Sequence, residues 1–145
     1  MRIIIKTKVQ SNLPQVKEGF KQDLFLKLNP PFPPVKLIQF DGCKKDDLVV
    51  LELNFIFFKQ NWKSLITSDS ENEQEWQFVD EGVKLPFFLK SWKHTHRVLS
   101  DSSGSTIIDD IQYRTPNFIL DLIMYPLLLG QFLYRKPIYK SIFSS

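Results

Sequence analysis

The period of hydrophobic and polar positions changes along the 145 residues, and each change marks a different kind of element. Arg2–Val9 carries β-branched Ile3–Ile5 and alternating Lys6 and Lys8, which predicts a strand. Ser11 or Asn12 can cap a helix from Leu13 to about Phe20, with Pro14 tolerated in its first turn. A second short helix around Lys21–Leu28 would bury Leu24, Phe25 and Leu28. Pro30-Pro31-Phe32-Pro33-Pro34 then forbids helix and delivers the chain extended, as a rigid connector or, if exposed, a proline-rich recognition segment.

From Val35 the period is that of strands. Val35–Phe40 reads as one strand, with Asp41-Gly42 opening its turn. Leu48–Phe58 reads as the longest apolar strand, with Leu51, Leu53, Phe55 and Phe57 on one face. Trp62–Ser68 alternates through Trp62, Ser64 and Ile66, Asp69–Glu75 forms a hairpin turn, and Gln74–Asp80 puts Trp76, Phe78 and Asp80 on one face. Leu85–Pro116 completes the run as two strands joined by a tight turn at Asp101–Ser105. Trp92, His94, His96 and Val98 share a face of the first, and Asp109, Ile111 and Tyr113 a face of the second.

After Pro116 the spacing becomes helical. Asn117 can cap, apolar residues recur to Phe143, Pro126 must kink or divide the helix, and Pro137 is a second break. Phe118–Tyr134 is shorter than the ~20 residues of a membrane span and carries Asp121, Pro126 and Gln131. A buried amphipathic helix is expected, with Leu127-Leu128-Leu129 and Phe132-Leu133 facing the sheet and Arg135, Lys136 and Lys140 in water. The alternative is a cationic end in transient contact with an anionic membrane.

Short connections make consecutive strands antiparallel neighbours, and an apolar sheet face must be covered. The predicted fold is α+β: an antiparallel sheet of about seven strands around a long C-terminal helix, with two short helices after the first strand. A cleft lies between sheet and helix.

Composition changes this picture little. The length fits a single domain over 1–145, and 43% hydrophobic with 24% charged residues is ordinary for a globular protein. Thirteen Phe is the unusual count, suited to a core or to an apolar pocket. A net charge of +3 on scattered basic residues gives no nucleic-acid footprint. The single Cys43 excludes an internal disulfide and a cysteine zinc cluster, and fits a reducing compartment. The N-terminus lacks the features of a signal peptide, so a cytoplasmic location is the expectation.

The chemistry-bearing residues are Asp80, His94, His96, Asp109 and Tyr113, contributed by three successive strands. His94 and His96 would sit about 7 Å apart along one face. Two histidines and a carboxylate are an acceptable metal set. A histidine oriented by Asp109, with the Tyr113 phenol, could move protons on a ketone-bearing ligand. The same groups could equally satisfy one another and orient an apolar ligand. No Gly-x-Ser-x-Gly or P-loop occurs, and Cys43 has no evident histidine partner.

Four stretches carry a resemblance: Leu28-Asn29-Pro30-Pro31; Trp62-x-Ser64-x-Ile66-Thr67; Phe78-x-Asp80 with Pro86-Phe87 and Trp92-x-His94-x-His96; and Thr106-x-x-Asp109-x-Ile111-x-Tyr113-x-x-Pro116. In this order the chain resembles the SRPBCC, or START-like, superfamily of helix-grip proteins, and within it small bacterial proteins named after polyketide cyclases and coenzyme Q-binding proteins. It departs at Leu85, where the pattern has Gly, in one extra residue between Phe87 and Trp92, and at Pro137.

The resemblance implies a hydrophobic cavity and no single reaction. The expected function is binding or carrying a small hydrophobic molecule, a lipid, isoprenoid or polyketide-like compound. The expected pocket is Leu53, Phe55, Phe57, Trp62, Trp76, Phe78, Trp92, His94, His96, Asp109, Tyr113, Leu120 and Met124. No catalytic residue, metal, cofactor or protein partner is assigned. The alternatives are a cyclase or dehydratase using the pocket His, Asp and Tyr, and an interaction module whose cavity has collapsed onto its own side chains.

Overall fold

The first strand of the chain pairs with the last. In the computed structural model, which describes residues 1–145, β1 (Arg2–Val9) runs antiparallel to β7 (Gly104–Arg114), from Arg2 opposite Gln112 to Val9 opposite Ser105. Between them come α1 (Leu13–Gly19) and α2 (Gln22–Leu28), then a meander of β2 (Val35–Phe40), β3 (Leu48–Asn54), β4 (Lys59–Glu71), β5 (Glu75–Lys84) and β6 (Ser91–Asp101). The sheet order is β1-β7-β6-β5-β4-β3-β2, antiparallel throughout. α3 (Phe118–Leu133) and α4 (Arg135–Ile142) close the chain. This is the helix-grip arrangement that the resemblance implies.

Local chemistry sets the boundaries. The Asn12 side chain accepts from the Gln15 backbone while the Gln15 side chain accepts from the Asn12 backbone, a reciprocal cap that starts α1. The Asn117 side chain accepts from the Leu120 backbone and starts α3.

The core forms two clusters. In one, Phe20 at the end of α1 meets the rings of Trp76, Phe78, Tyr139 and Phe143 at centroid distances of 5.3 to 6.3 Å, beneath α1, α2 and α4. In the other, Leu128 and Phe132 of α3 pack with Ile3, Ile5, Trp92, Ile111 and Tyr113.

Several boundaries differ from those expected. β3 ends at Asn54, not Phe58, because the Asn54 side chain accepts from Ile56 N and the chain turns through Ile56 at φ 77°. Phe57 is thereby thrown outward, 94% exposed. β4 runs to Glu71, so the turn expected over Asp69–Glu75 shrinks to residues 72–74. Residues 85–90 are a connection, not the start of a strand. Pro126 lies inside an undivided α3, and the break falls at Tyr134 instead. Pro137 occupies the first turn of α4, where its missing N–H has no intrahelical partner to lose.

α3 is also less buried than its expected role requires. Only Leu128 and Phe132 are fully buried, while Leu127 is 57% exposed and Leu133 is exposed too. Its sheet-facing side borders a cavity rather than a filled core, and no second layer covers its outer side. With α4 it makes a 25-residue helical stretch, Phe118–Ile142, long and apolar enough by length and composition to cross a membrane.

Candidate functional site

Alternation along β5, β6 and β7 places Phe78 and Asp80, then Trp92, His94 and His96, then Asp109 and Ile111 on the concave side of the sheet. Register sets Asp80 opposite His94, and Asp109 opposite His96. His94 Nε2 donates to Asp109 Oδ1 at 2.9 Å, and His96 Nε2 donates to Asp80 Oδ2 at 2.6 Å. The imidazoles stack with centroids 3.5 Å apart, and Phe78 stacks on the outer face of His96 at 4.2 Å. Trp92 Nε1 donates to Asp80 Oδ1 at 3.2 Å.

Burial and this network fix the charges. Burial pushes His96 down to about 4, and neighbouring His94 adds to that, against the pull of Asp80 and Asp109. His96 is therefore neutral at pH 7. Burial is the largest influence on the Asp80 and Asp109 carboxyls and would raise both, but the histidines' hydrogen bonds and charges, with Trp92 at Asp80 and Arg135 at Asp109, together outweigh it. Both carboxylates are held below their ordinary value.

Arg135, expected in water, turns inward. Its Nη1 lies 3.7 Å from Asp109 Oδ1 and its guanidinium covers the Phe132 ring at 4.4 Å. Lys136 is half-buried and its Nζ donates to the Lys6 carbonyl, whereas Lys140 is exposed as expected.

Above this polar floor lies a cavity of about 890 Å³ between the sheet, α2, the proline segment and α3. Nine of the thirteen expected pocket residues border it: Leu53, Phe55, Trp62, Phe78, Trp92, His94, His96, Leu120 and Met124. Four do not. Phe57 leaves with the turn after β3, and Trp76 is sealed beneath Phe20. Asp109 lies behind His94, 1% exposed, and Tyr113 is buried under the start of α3, its hydroxyl donating to the Asp121 carbonyl at 2.8 Å.

The sequence reading missed much of the opposite wall. Val35 and Leu37 of β2, Phe25 of α2, Phe32 of the proline segment, and Phe88 and Arg135 all border the cavity. The alternation of Val35 and Leu37 was a usable signal, while the inward turn of Arg135 was not. Cys43 also borders it, but burial pushes its thiol up to about 12, which keeps it protonated and unreactive. The volume leaves the cavity open rather than collapsed on its phenylalanines, and a drug-sized apolar molecule fits within about 300–1,000 Å³.

No protein-family profile matches the chain. Among curated proteins it is 34% identical over 92 residues to rat (Rattus norvegicus) Serpin A11, a match covering 61% of this chain and 22% of the serpin. The chain thus spans about a fifth of that relative's length, and neither the serpin's family nor its activity carries across. Solved structures share the whole architecture. The Zhui aromatase/cyclase from Streptomyces sp. R1128 superposes with a TM-score of 0.67 at 9% identity, over 96% of this chain and 93% of that one. A nucleoside-diphosphate sugar epimerase from Corynebacterium glutamicum superposes with a TM-score of 0.70 at 21% identity, over 93% of this chain and 27% of that one. At these identities the likeness establishes the fold, and two such different names on one fold leave the function to be argued from the site.

Proposed function

We propose that this chain, which has the helix-grip fold of the SRPBCC, or START-like, superfamily, takes up a small hydrophobic or lipid-like molecule between its sheet and α3. The observation that carries the reading is the cavity of about 890 Å³, apolar over most of its wall and polar at one end. Apolar burial there is worth about 25 cal/mol per Å² before ordering costs. His94, His96 and Asp80 stand where a ligand oxygen would be oriented. A polyketide-like or isoprenoid molecule with one oxygenated end matches this distribution, and the aromatase/cyclase likeness supports the first.

Catalysis on such a ligand is the second reading, favoured by the stacked His94 and His96 at the cavity floor. It is narrower than the sequence implied, since Asp109 and Tyr113 do not border the cavity and would act only through His94 or not at all.

Native mass spectrometry of freshly purified protein, followed by solvent extraction, tests the main reading. A co-purifying apolar molecule is expected. Binding of an environment-sensitive apolar dye should weaken in Met124→Trp, which puts an indole into the cavity from α3. Dye binding that is absent from the wild type, or unchanged in the folded variant, removes the reading.

A further inference from the structure

Three side chains able to hold a metal converge at the cavity floor. His94 Nδ1 and His96 Nε2 lie 3.7 and 2.6 Å from Asp80 Oδ2, and one ligand atom from each of these three residues, on two adjacent strands, lies within 4.8 Å of the others. His94 gives its Nε2–H to Asp109, and its other ring nitrogen, Nδ1, faces Asp80 Oδ2 at 3.7 Å, too far for a hydrogen bond. Behind the histidines, His96 Nδ1 and Asp109 Oδ2 are buried without partners. A self-contained polar network explains neither the unmade contact between His94 Nδ1 and Asp80 nor the orphaned atoms.

We propose that Asp80, His94 and His96 bind a divalent transition ion of borderline softness, Zn²⁺ or a chemically similar ion, with its remaining coordination open to the cavity. Two imidazoles and one carboxylate are a donor set such ions take, and three protein ligands leave a position free. The supporting shell is in place. Asp109 holds His94 from the far nitrogen, and Trp92 holds Asp80 Oδ1 so that Oδ2 is the ligand atom.

Binding moves the His96 proton from Nε2 to Nδ1, and no proton leaves the protein. On Nδ1 it faces Asp109 Oδ1, 4.0 Å away, and a closure of about 1 Å would give the orphaned nitrogen a hydrogen-bond partner. Ion–ligand bonds of about 2.1 Å at a tetrahedral centre separate the donors by roughly 3.4 Å. The separations of 2.6 and 3.7 Å from Asp80 Oδ2 lie on either side of that, so the donors reach it by small adjustments. The chain contains no other histidine, and its single thiol is held protonated, so imidazole coordination can arise only here.

The site is independent of the hydrophobic-ligand reading and is tested with metal alone. Chelator-treated protein is titrated with Zn²⁺ against a chromophoric indicator, and with Co²⁺ by visible absorption. The expected result is one equivalent of zinc, a d–d spectrum with cobalt, a melting temperature that rises with zinc, movement of both histidine resonances, and no response to Mg²⁺. His94→Asn and Asp80→Asn should abolish uptake, and Asp109→Asn, which removes no ligand, should weaken it about 10–100-fold. Near-UV circular dichroism confirms which variants fold. Where a variant does not, the wild-type histidine resonances decide. No zinc uptake by the wild type, uptake without histidine movement, or unchanged uptake in a folded His94→Asn or Asp80→Asn protein overturns the proposal. Zinc binding without dye binding would sink only the hydrophobic-ligand reading.

Discussion

Asp80 stands opposite His94 in the register of β5 and β6, yet it accepts its short hydrogen bond from His96, two residues along the strand. Asp109 repeats the exchange from the other side, standing opposite His96 and bonding His94. Each carboxylate therefore reaches diagonally, which draws the imidazoles into a stack and ties three strands together at one point.

Asp109 is the most exacting member, 1% exposed and shared between His94 and Arg135. Asp109→Ala leaves a buried N–H and a half-buried guanidinium without their partner, and should cost about 3 kcal/mol. Urea unfolding monitored by tryptophan fluorescence should show a lower midpoint with an unchanged slope. Asp109→Asn, which keeps an oxygen acceptor, should cost less.

Acid should destabilise the metal-free protein. His96 is neutral in the fold down to about 4 but takes a proton near 6.5 once unfolded. Between those values the unfolded chain binds more protons, so stability falls as pH is lowered from 6.5 towards 4. Asp80 and Asp109, with folded values below the ordinary 3.8, add a loss of the same sign as pH falls further. Melting temperatures in chelator-containing buffers should decline over this range, and His96→Asn should flatten the upper part of the decline.

How much of this was legible in sequence depended on what the sequence encodes locally. Strand alternation and the caps at Asn12 and Asn117 are local, and they gave the element order and the inward faces of β5, β6 and β7. What covers each inward face is decided by distant chain. Trp76 and Phe78 alternate identically, but Phe20 closes over Trp76 and leaves Phe78 at the cavity. Phe57 failed for a different reason: Phe55-Ile56-Phe57-Phe58 has no turn residue, and the signal lay in Asn54 before it. Arg135 reads as a surface cation until Asp109 and the Phe132 ring are seen on either side of it.

Two glycines should respond oppositely to alanine. Gly104, in the β6–β7 turn, has φ 144°, and an added Cβ would sit 2.3 Å from the Val9 carbonyl oxygen. Backbone cannot move aside as a side chain does, so Gly104→Ala should cost about 3 kcal/mol or fail to fold. Gly130 lies inside α3 with nothing within 4 Å of its added Cβ. Gly130→Ala should stabilise the protein by about 0.5–1 kcal/mol through helix propensity alone. Parallel denaturation curves measure both.

α3 should divide sharply by face. Ile119, Leu122 and Ile123 are 69%, 49% and 54% exposed, whereas Leu128 and Phe132 are 5% and 6% exposed. Glutamine at any of the first three should change stability by no more than about 0.5 kcal/mol, because little apolar surface returns to water. Glutamine at Leu128 or Phe132 should cost about 3 kcal/mol or more, because it removes packing and buries an amide without a partner. Were α3 an ordinary core helix, all five changes would be severe. Equal losses at Ile123 and Leu128 in chemical denaturation would therefore contradict the outward face, while the expected asymmetry would mark that face as apolar surface that the fold does not require.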